Sequence, residues 1–349
     1  MTLARGCKCR ALVIDAVCLI AWLLASSGAA FSAGAGLDAV RAARRLSCGI
    51  VTEPADYTKD DTHASLAAFD LDLCRAVAAA VLGDGARIRV STFPDERHGL
   101  AAIKAGRIDL LVAATPSAVK AVEYDVGFAA PVFFDGQGFL AATAAGIASI
   151  NDLAGKQVCF ISGTEAETVL NAVLRQRNIT VLPFPFEELG EMQAALATGH
   201  CAAITADLSQ LALTRSELHG RTNNFTLLPE LMTVDPLAPA YRRGDPQWGA
   251  IVNATIDVLL EAEASDVTRA KIDSMPPSSE DRPGFLVNAA AASATLGLDD
   301  AWAVHVIKAV GNYAELFARD LGEGSPLGLP RGRNALSSNG GLMHPRANR

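Results

Sequence analysis

Two consecutive series of alternating strand and helix signals, over 46–113 and 157–205, predict an α/β protein built as two lobes, each a parallel sheet flanked by helices. A continuously apolar run at 108–113 is the kind of strand that a parallel sheet buries on both faces. The length of 349 residues is enough for about two ordinary domains, each with a core of its own.

The elements follow in order. Ahead of the first series, Arg5, Lys8 and Arg10 precede an apolar run over 11–25, and Ser26, Ser27, Gly28, Ala29 and Ala30 follow it. This is the layout of a secretory signal peptide, taken as residues 1–33. The run is interrupted by Asp15 and is shorter than the roughly 20 apolar residues of a membrane span. The expected product is soluble, acidic and outside the cytoplasm. In the first series, 46–51 reads as a strand and 69–82 as a helix, with Leu73, Cys74, Val77, Ala78 and Val81 on one face and Gly83 past its end. A strand at 87–92, a helix at 97–105 stopped by Gly106, and the apolar strand complete it. The second series has a helical turn at 150–153, strands at 157–161, 180–184 and 201–205, and helices at 165–177 and 187–198. Beyond it, 275–283 reads as a loop. A helix over 301–321 carries Trp302, Val306, Val310, Tyr313 and Phe317 at helical intervals.

Composition narrows the function. With 30 Lys+Arg against 38 Asp+Glu the net charge is −8, which lacks the surplus of clustered cations that nucleic-acid binding needs. Half the residues are hydrophobic and 19% are charged, which excludes a disordered chain. Three of the seven cysteines lie within 1–33, leaving Cys48, Cys74, Cys159 and Cys201. An even number in an exported chain fits disulfides, and their wide spacing without a histidine partner set argues against zinc. Three pairings are open, as are buried free thiols.

Catalytic signatures are missing. The chain has no Gly-rich phosphate loop, no GxGxxG opening a helix, no HExxH and no GxSxG elbow. Its six histidines show no metal-ligand spacing, so no cofactor or metal is implied. The turns after strands carry more. Ser162-Gly163-Thr164 ends a strand and opens a helix, where free backbone N–H groups can seat a carboxylate. The plainer alternative makes Thr164 only an N-cap. Asp207, following the next strand, can take an ammonium group, or equally be a solvated loop residue or a cap. In sheets of this kind ligands bind beyond the carboxyl ends of the strands, so two facing lobes would bind in the cleft between them.

Several segments together resemble a known family. The run Ala68-Phe69-Asp70-Leu71-Asp72-Leu73 with Cys74-Arg75-Ala76-Val77 is similar to the first-helix signature of family 3 periplasmic solute-binding proteins, which serve ABC importers of amino acids. Phe133-Phe134-Asp135-Gly136-Gln137-Gly138-Phe139, Ser162-Gly163-Thr164, Thr205-Ala206-Asp207 and Lys308-Ala309-Val310-Gly311-Asn312-Tyr313 follow in the family's order. The tail, with Gly324-Ser325-Pro326-Leu327 and Asn334-Ala335-Leu336, resembles the general L-amino-acid-binding subgroup. The resemblance implies the bilobed type II periplasmic binding protein fold. Lobe 1 would be 37–140 with 233–349, lobe 2 an inserted 141–232, and two crossover strands the hinge. It further implies that the Ser162–Thr164 turn holds the ligand carboxylate and Asp207 its α-ammonium, and that Cys48 pairs with Cys74 and Cys159 with Cys201.

One departure bears on the ligand. Where the family carries an arginine that clamps the α-carboxylate, this chain reads Ala113-Ala114-Thr115-Pro116-Ser117-Ala118-Val119-Lys120. Lys120 is the nearest cation and lacks the planar fork of arginine. Losing such a contact costs a few kcal/mol, or about two orders of magnitude in affinity. Thr115 and Ser117 remain as polar contacts, and Tyr57 in the first loop can cap a ligand or face solvent. The expectation is therefore a monomeric periplasmic receptor, not an enzyme, that delivers an amino acid to an ABC permease in the inner membrane. Two alternatives are a diverged binding protein with a sensing role or another ligand, and a dehydratase-type enzyme with Lys120 as its acid or base.

Overall fold

The computed structural model describes residues 34–52, 66–218, 224–275 and 282–345; the expected signal peptide and Tyr57 lie outside the described residues. The first part of the chain runs α1 (Ala35–Ala43), β1 (Leu46–Val51), α2 (Leu66–Leu82), β2 (Ile88–Phe93), α3 (Glu96–Lys104), β3 (Leu110–Ala114), α4 (Ala118–Glu123), β4 (Val126–Phe128) and β5 (Phe133–Asp135). The middle part runs β6 (Gln137–Ala142), β7 (Gln157–Ile161), α5 (Glu165–Arg177), β8 (Leu182–Phe186), α6 (Leu189–Ala197), β9 (Ala203–Asp207), α7 (Leu208–Glu217) and β10 (Phe225–Leu227). The chain then returns through β11 (Asp235–Arg242) to α8 (Pro246–Ala264), α9 (Arg269–Ile272), α10 (Gly284–Leu296), α11 (Trp302–Val310) and α12 (Tyr313–Asp320).

These strands form two sheets. The first has the order β2-β1-β3-β11-β4, with β5 also paired to β11; the second has the order β10-β6-β9-β7-β8. β1 is parallel to β2 and β3, and β7 to β8 and β9, as buried apolar strands joined by helices require. The two α/β lobes are joined by two strands, β5 leading out and β11 leading back, paired antiparallel with Asp135 opposite Asp235. By sheet membership the first crossing falls at Gly136, a few residues before the 140 that the resemblance implies, because β6 already pairs with β9 and β10. A Cβ on Gly136 would lie 2.5 Å from the backbone oxygen of Thr233, so only glycine lets the two crossing segments approach this closely.

Each lobe has its own core. In the first, α2 and α11 pack together beside β1, and Phe69, Phe133, Tyr313 and Phe317 form an aromatic cluster behind β5. The Tyr313 hydroxyl, fully enclosed there, donates to the Val132 carbonyl at 2.8 Å. In the second, Phe139, Ile150, Leu153, Val158, Phe160, Leu170 and Leu174 fill one side of the sheet. Disulfides join Cys48 of β1 to Cys74 of α2 and Cys159 of β7 to Cys201 ahead of β9, with Cα separations of 6.2 and 5.9 Å. Each bridge ties a strand to an element of its own lobe.

Some expectations shift. The helix over 301–321 is two helices: Gly311 takes φ +85° between them, and Asn312 caps α12 in a reciprocal capping box with Glu315. The strands read at 180–184 and 201–205 lie two residues further on, which makes Asp207 the end of β9 and the N-cap residue of α7. Beyond α12 the tail docks on the hinge. Asn334 accepts from the Phe134 N–H at 2.7 Å and donates to its carbonyl at 3.0 Å, while Arg333 donates to the Thr233 carbonyl at 2.5 Å.

Candidate functional site

The carboxyl ends of β3, β5, β7 and β9 converge on a cleft between the lobes of about 420 Å³. Thr115 after β3, Asp135 of β5 and Asp235 with Leu237 of β11 line it from the first lobe and the hinge. Thr164, Glu165, Ala166 and Val169 of α5, Asp207 of β9 and Ser209 of α7 line it from the second. This is the position that strand-end geometry predicts for a ligand site.

Charge in the cleft is one-sided. Among the described lining residues Asp135, Asp207, Asp235 and Glu165 are acidic, and none is basic. Asp135 is buried and accepts from the Ser209 hydroxyl at 2.5 Å and from the Gly136 N–H at 2.9 Å; burial pushes its carboxyl up despite those donors. Asp235 accepts from the Thr233 hydroxyl at 2.5 Å. Asp207 faces the open cleft with no side-chain hydrogen bond among the described residues. Enclosure by the cleft walls, then the charges of Asp135, Asp235 and Glu165, push its pKa to about 6. It therefore spans protonated and ionised forms near neutral pH, and an incoming cation would relieve the repulsion.

The turn before α5 is shaped as a seat for an anion, and part of it is occupied internally. Gly163 holds φ +71°, a left-handed conformation suited to glycine, and its N–H donates to the Glu167 carboxylate at 2.8 Å. The Ser162 N–H and hydroxyl both donate to the Phe186 carbonyl, at 2.9 and 3.2 Å. The Thr164 hydroxyl donates to the Ile161 carbonyl at 2.7 Å and makes no side-chain cap.

Of the residues singled out in the sequence, the structure brings Thr115, Thr164 and Asp207 into one cleft. Lys120, Ser117 and Ser162 are not among its lining residues. Lys120 is paired to Glu96 at 2.7 Å on α3, and the same glutamate accepts from the Thr115 N–H at 3.1 Å. Ser117 caps α4, accepting from the Lys120 N–H at 3.4 Å. The hinge acids Asp135 and Asp235, with Gln137, were missed as site residues. Asp135 and Gln137 lie within the segment that carries the resemblance, but nothing in their spacing says they face a cavity. Gln137 links the hinge to α5, donating to the Ala166 carbonyl at 2.8 Å and to the Thr205 hydroxyl at 3.0 Å.

With this geometry in hand, comparison with known proteins places the chain. The family described as NMT1/THI5 like matches residues 89–238. The general L-amino acid-binding periplasmic protein AapJ of Rhizobium johnstonii is 35% identical over 91% of this chain and 94% of its own. The glutamate/glutamine/aspartate/asparagine-binding protein BztA of Rhodobacter capsulatus is 32% identical over 92% of this chain and 95% of its own. An ABC transporter periplasmic binding protein from Brucella ovis, solved with glutathione bound, superposes with a TM-score of 0.74 at 32% identity, covering 89% of this chain and 98% of that one. Similarity of this extent, carried on the same two lobes and hinge, shows that the chain belongs to the family of periplasmic amino-acid-binding components of ABC transporters.

Proposed function

We propose that this chain is exported after removal of residues 1–33 and captures an amino acid or a close amine relative in the interlobe cleft as a monomer. It then presents the closed complex to an ABC permease in the inner membrane. The lobes that the resemblance implies, 37–140 with 233–349 and 141–232, move about the β5 and β11 crossings, and Asp207 receives the ligand's ammonium. Thr115 and Thr164 lie close enough to contribute polar contacts from opposite walls. The observation that carries this reading is the Asp207 carboxylate, with no side-chain hydrogen bond among the described residues and set in a cleft where the strand ends of both lobes meet.

The glutathione in the Brucella ovis relative supports a peptide-sized ligand as a second reading, and about 420 Å³ accommodates one. The test is calorimetric titration of refolded, ligand-stripped mature protein with the twenty amino acids and with reduced glutathione. Saturable one-to-one binding that weakens in Asp207→Ala is expected. Absence of heat from every titrant, in protein shown to be folded, would overturn the assignment of the cleft.

A further inference from the structure

Resting on the assignment of the interlobe cleft as the ligand site, we infer that the C-terminal tail is a latch on the far side of the hinge. It holds α7 of the second lobe against the first lobe, opposes closure, and lets go of α7 when the cleft closes on a ligand. The position of the tail comes first. Side chains alternate along an extended segment, and Asp135 and Gln137 of the first crossing turn into the cleft. Between them, a Cβ on Gly136 would lie 3.3 Å from Nη1 of Arg333 in the tail. No tail residue is among the described residues that line the cleft. The tail therefore covers the face of the hinge opposite the cleft. A rotation that narrows one face of a hinge widens the other, so a contact that bridges the lobes on this face is pulled apart by closure.

That bridge is made by α7. One side of the helix is built into the second lobe: Leu211 is buried in a core with Met192 and Ile204, and the Thr214 hydroxyl accepts from Gln193 of α6 at 2.8 Å. The other side meets the first lobe. Ala212 is fully buried in the core cluster that also contains Leu327 and Leu329 of the tail, and Leu208 and Leu213 pack against that cluster. Arg215 donates to the Leu327 carbonyl at 2.5 Å, while its Nε is enclosed with no hydrogen-bond partner among the described residues. The contact thus gains one hydrogen bond and keeps one donor from water. Opening it returns that donor to solvent, which makes it easier to release than a fully paired guanidinium. The opposite end of the same helix carries the cleft: Asp207 is its N-cap residue and Ser209 lines the cavity. From Ser209 to Arg215 is about 9 Å along a rigid helix, so a ligand pulls one end while the tail holds the other. The remaining tail contacts run to the crossings and to Glu263 of the first lobe. The tail stays with the first lobe, and its grip on α7 is the part that gives way.

A latch of this kind adds the same cost to binding every ligand, whereas a residue of the cleft affects ligands unequally. The test uses the mature, disulfide-bonded protein as wild type and Arg215→Ala, stripped of ligand. L-glutamate, L-glutamine and reduced glutathione are titrated calorimetrically, and small-angle scattering is recorded without ligand. Each titrant that binds wild type is expected to bind the variant tighter by one common factor, about three- to thirtyfold. The unliganded variant is expected to have the smaller radius of gyration. Arg215→Gln, which keeps a donor and loses the charge, should fall between the two, and it carries the test if the alanine variant does not fold. Unchanged or weaker affinities, or a gain confined to one titrant, would overturn the latch and leave the receptor standing. If no titrant binds either protein, the assignment of the cleft fails, and scattering alone decides the latch: an unchanged radius of gyration overturns it.

Discussion

Asp207 offers a titration with a calculable size. It is surrounded by Asp135 of β5, Asp235 of β11 and Glu165 of α5, and its pKa is pushed up to about 6, above the ordinary range of an aspartate. A ligand ammonium, with a pKa near 10, stays charged across the neutral range, so the protonation of Asp207 governs the contact. With a pKa of about 6 the ionised fraction is roughly a tenth at pH 5 and nine-tenths at pH 7, so affinity should rise about tenfold between them. The same raised pKa sets the sign for stability. The folded protein without ligand holds this proton more tightly than the unfolded chain, so stability declines as pH rises from about 4 through 6. Asp207→Asn removes the repulsion: the unliganded variant should melt higher than wild type at pH 7, yet bind more weakly and without the pH dependence. Losing a charge-assisted hydrogen bond costs about 1.5–3 kcal/mol, which is roughly 10- to 150-fold in affinity. Calorimetry from pH 5 to 7, paired with thermal melts, reads both. Affinity that is flat or falls over that range in the wild type would refute the role of Asp207, as would an asparagine variant that binds as well as wild type.

The disulfides enclose chain separations of 26 and 42 residues, so by loop entropy Cys48→Ala/Cys74→Ala should cost about 3.5 kcal/mol and Cys159→Ala/Cys201→Ala about 4 kcal/mol. Urea unfolding measures this, and unchanged midpoints would contradict it. Lys120→Ala should leave affinity within about twofold, because an ion pair held by Glu96 outside the lining contributes little there; a tenfold loss by calorimetry would place Lys120 in the site after all. Asn334→Ala removes two hydrogen bonds to Phe134 and leaves buried backbone groups unpaired, at about 3 kcal/mol. Urea unfolding should register the loss, while small-angle scattering should show a broader spread of lobe orientations.

Much of the fold was legible because its strands alternate with one-sided helices. β1, β7 and α5 coincide with the runs read from periodicity, since each pairs or packs along its full apolar length. The return strand β11 was not legible: Pro236 and Pro239 break its pattern, and it is tolerated because much of its pairing goes to short strands and a bulge. α8 hid for the opposite reason. It buries Trp248, Ile251, Val252, Ile256, Val258, Leu259 and Leu260 on several sides, which leaves only a narrow polar stripe of Asn253, Asp257 and Glu261. The placing of Asp207 and Thr164 on the cleft was legible because each ends or follows a parallel strand. Asp135 and Asp235 were not, because only the antiparallel pairing of the hinge sets two acids opposite one another. The pairing of Lys120 was not legible either: sequence proximity to the lost arginine says nothing about Glu96, which lies 24 positions away and pairs with it.

The tail gives the hinge a property that the lobes alone do not. Closure of a two-lobed cleft turns on a few backbone dihedrals in the crossing strands. Here Asn334 reads both backbone groups of Phe134 in one crossing, and Arg333 holds the Thr233 carbonyl in the other. The same tail is anchored to the first lobe, where Arg331 pairs with Glu263 and lies over the rings of Tyr313 and Phe317. It reaches the second lobe through Arg215 of α7, which donates to the Leu327 carbonyl at 2.5 Å. A segment bonded to both lobes and both crossings cannot remain indifferent to their relative rotation. Closing must either carry these contacts along or break them, and breaking them enters the apparent affinity as a fixed cost independent of which ligand fills the cleft. On the proposed reading, selectivity then rests with the cleft lining, and the absolute affinity also carries the cost of the tail.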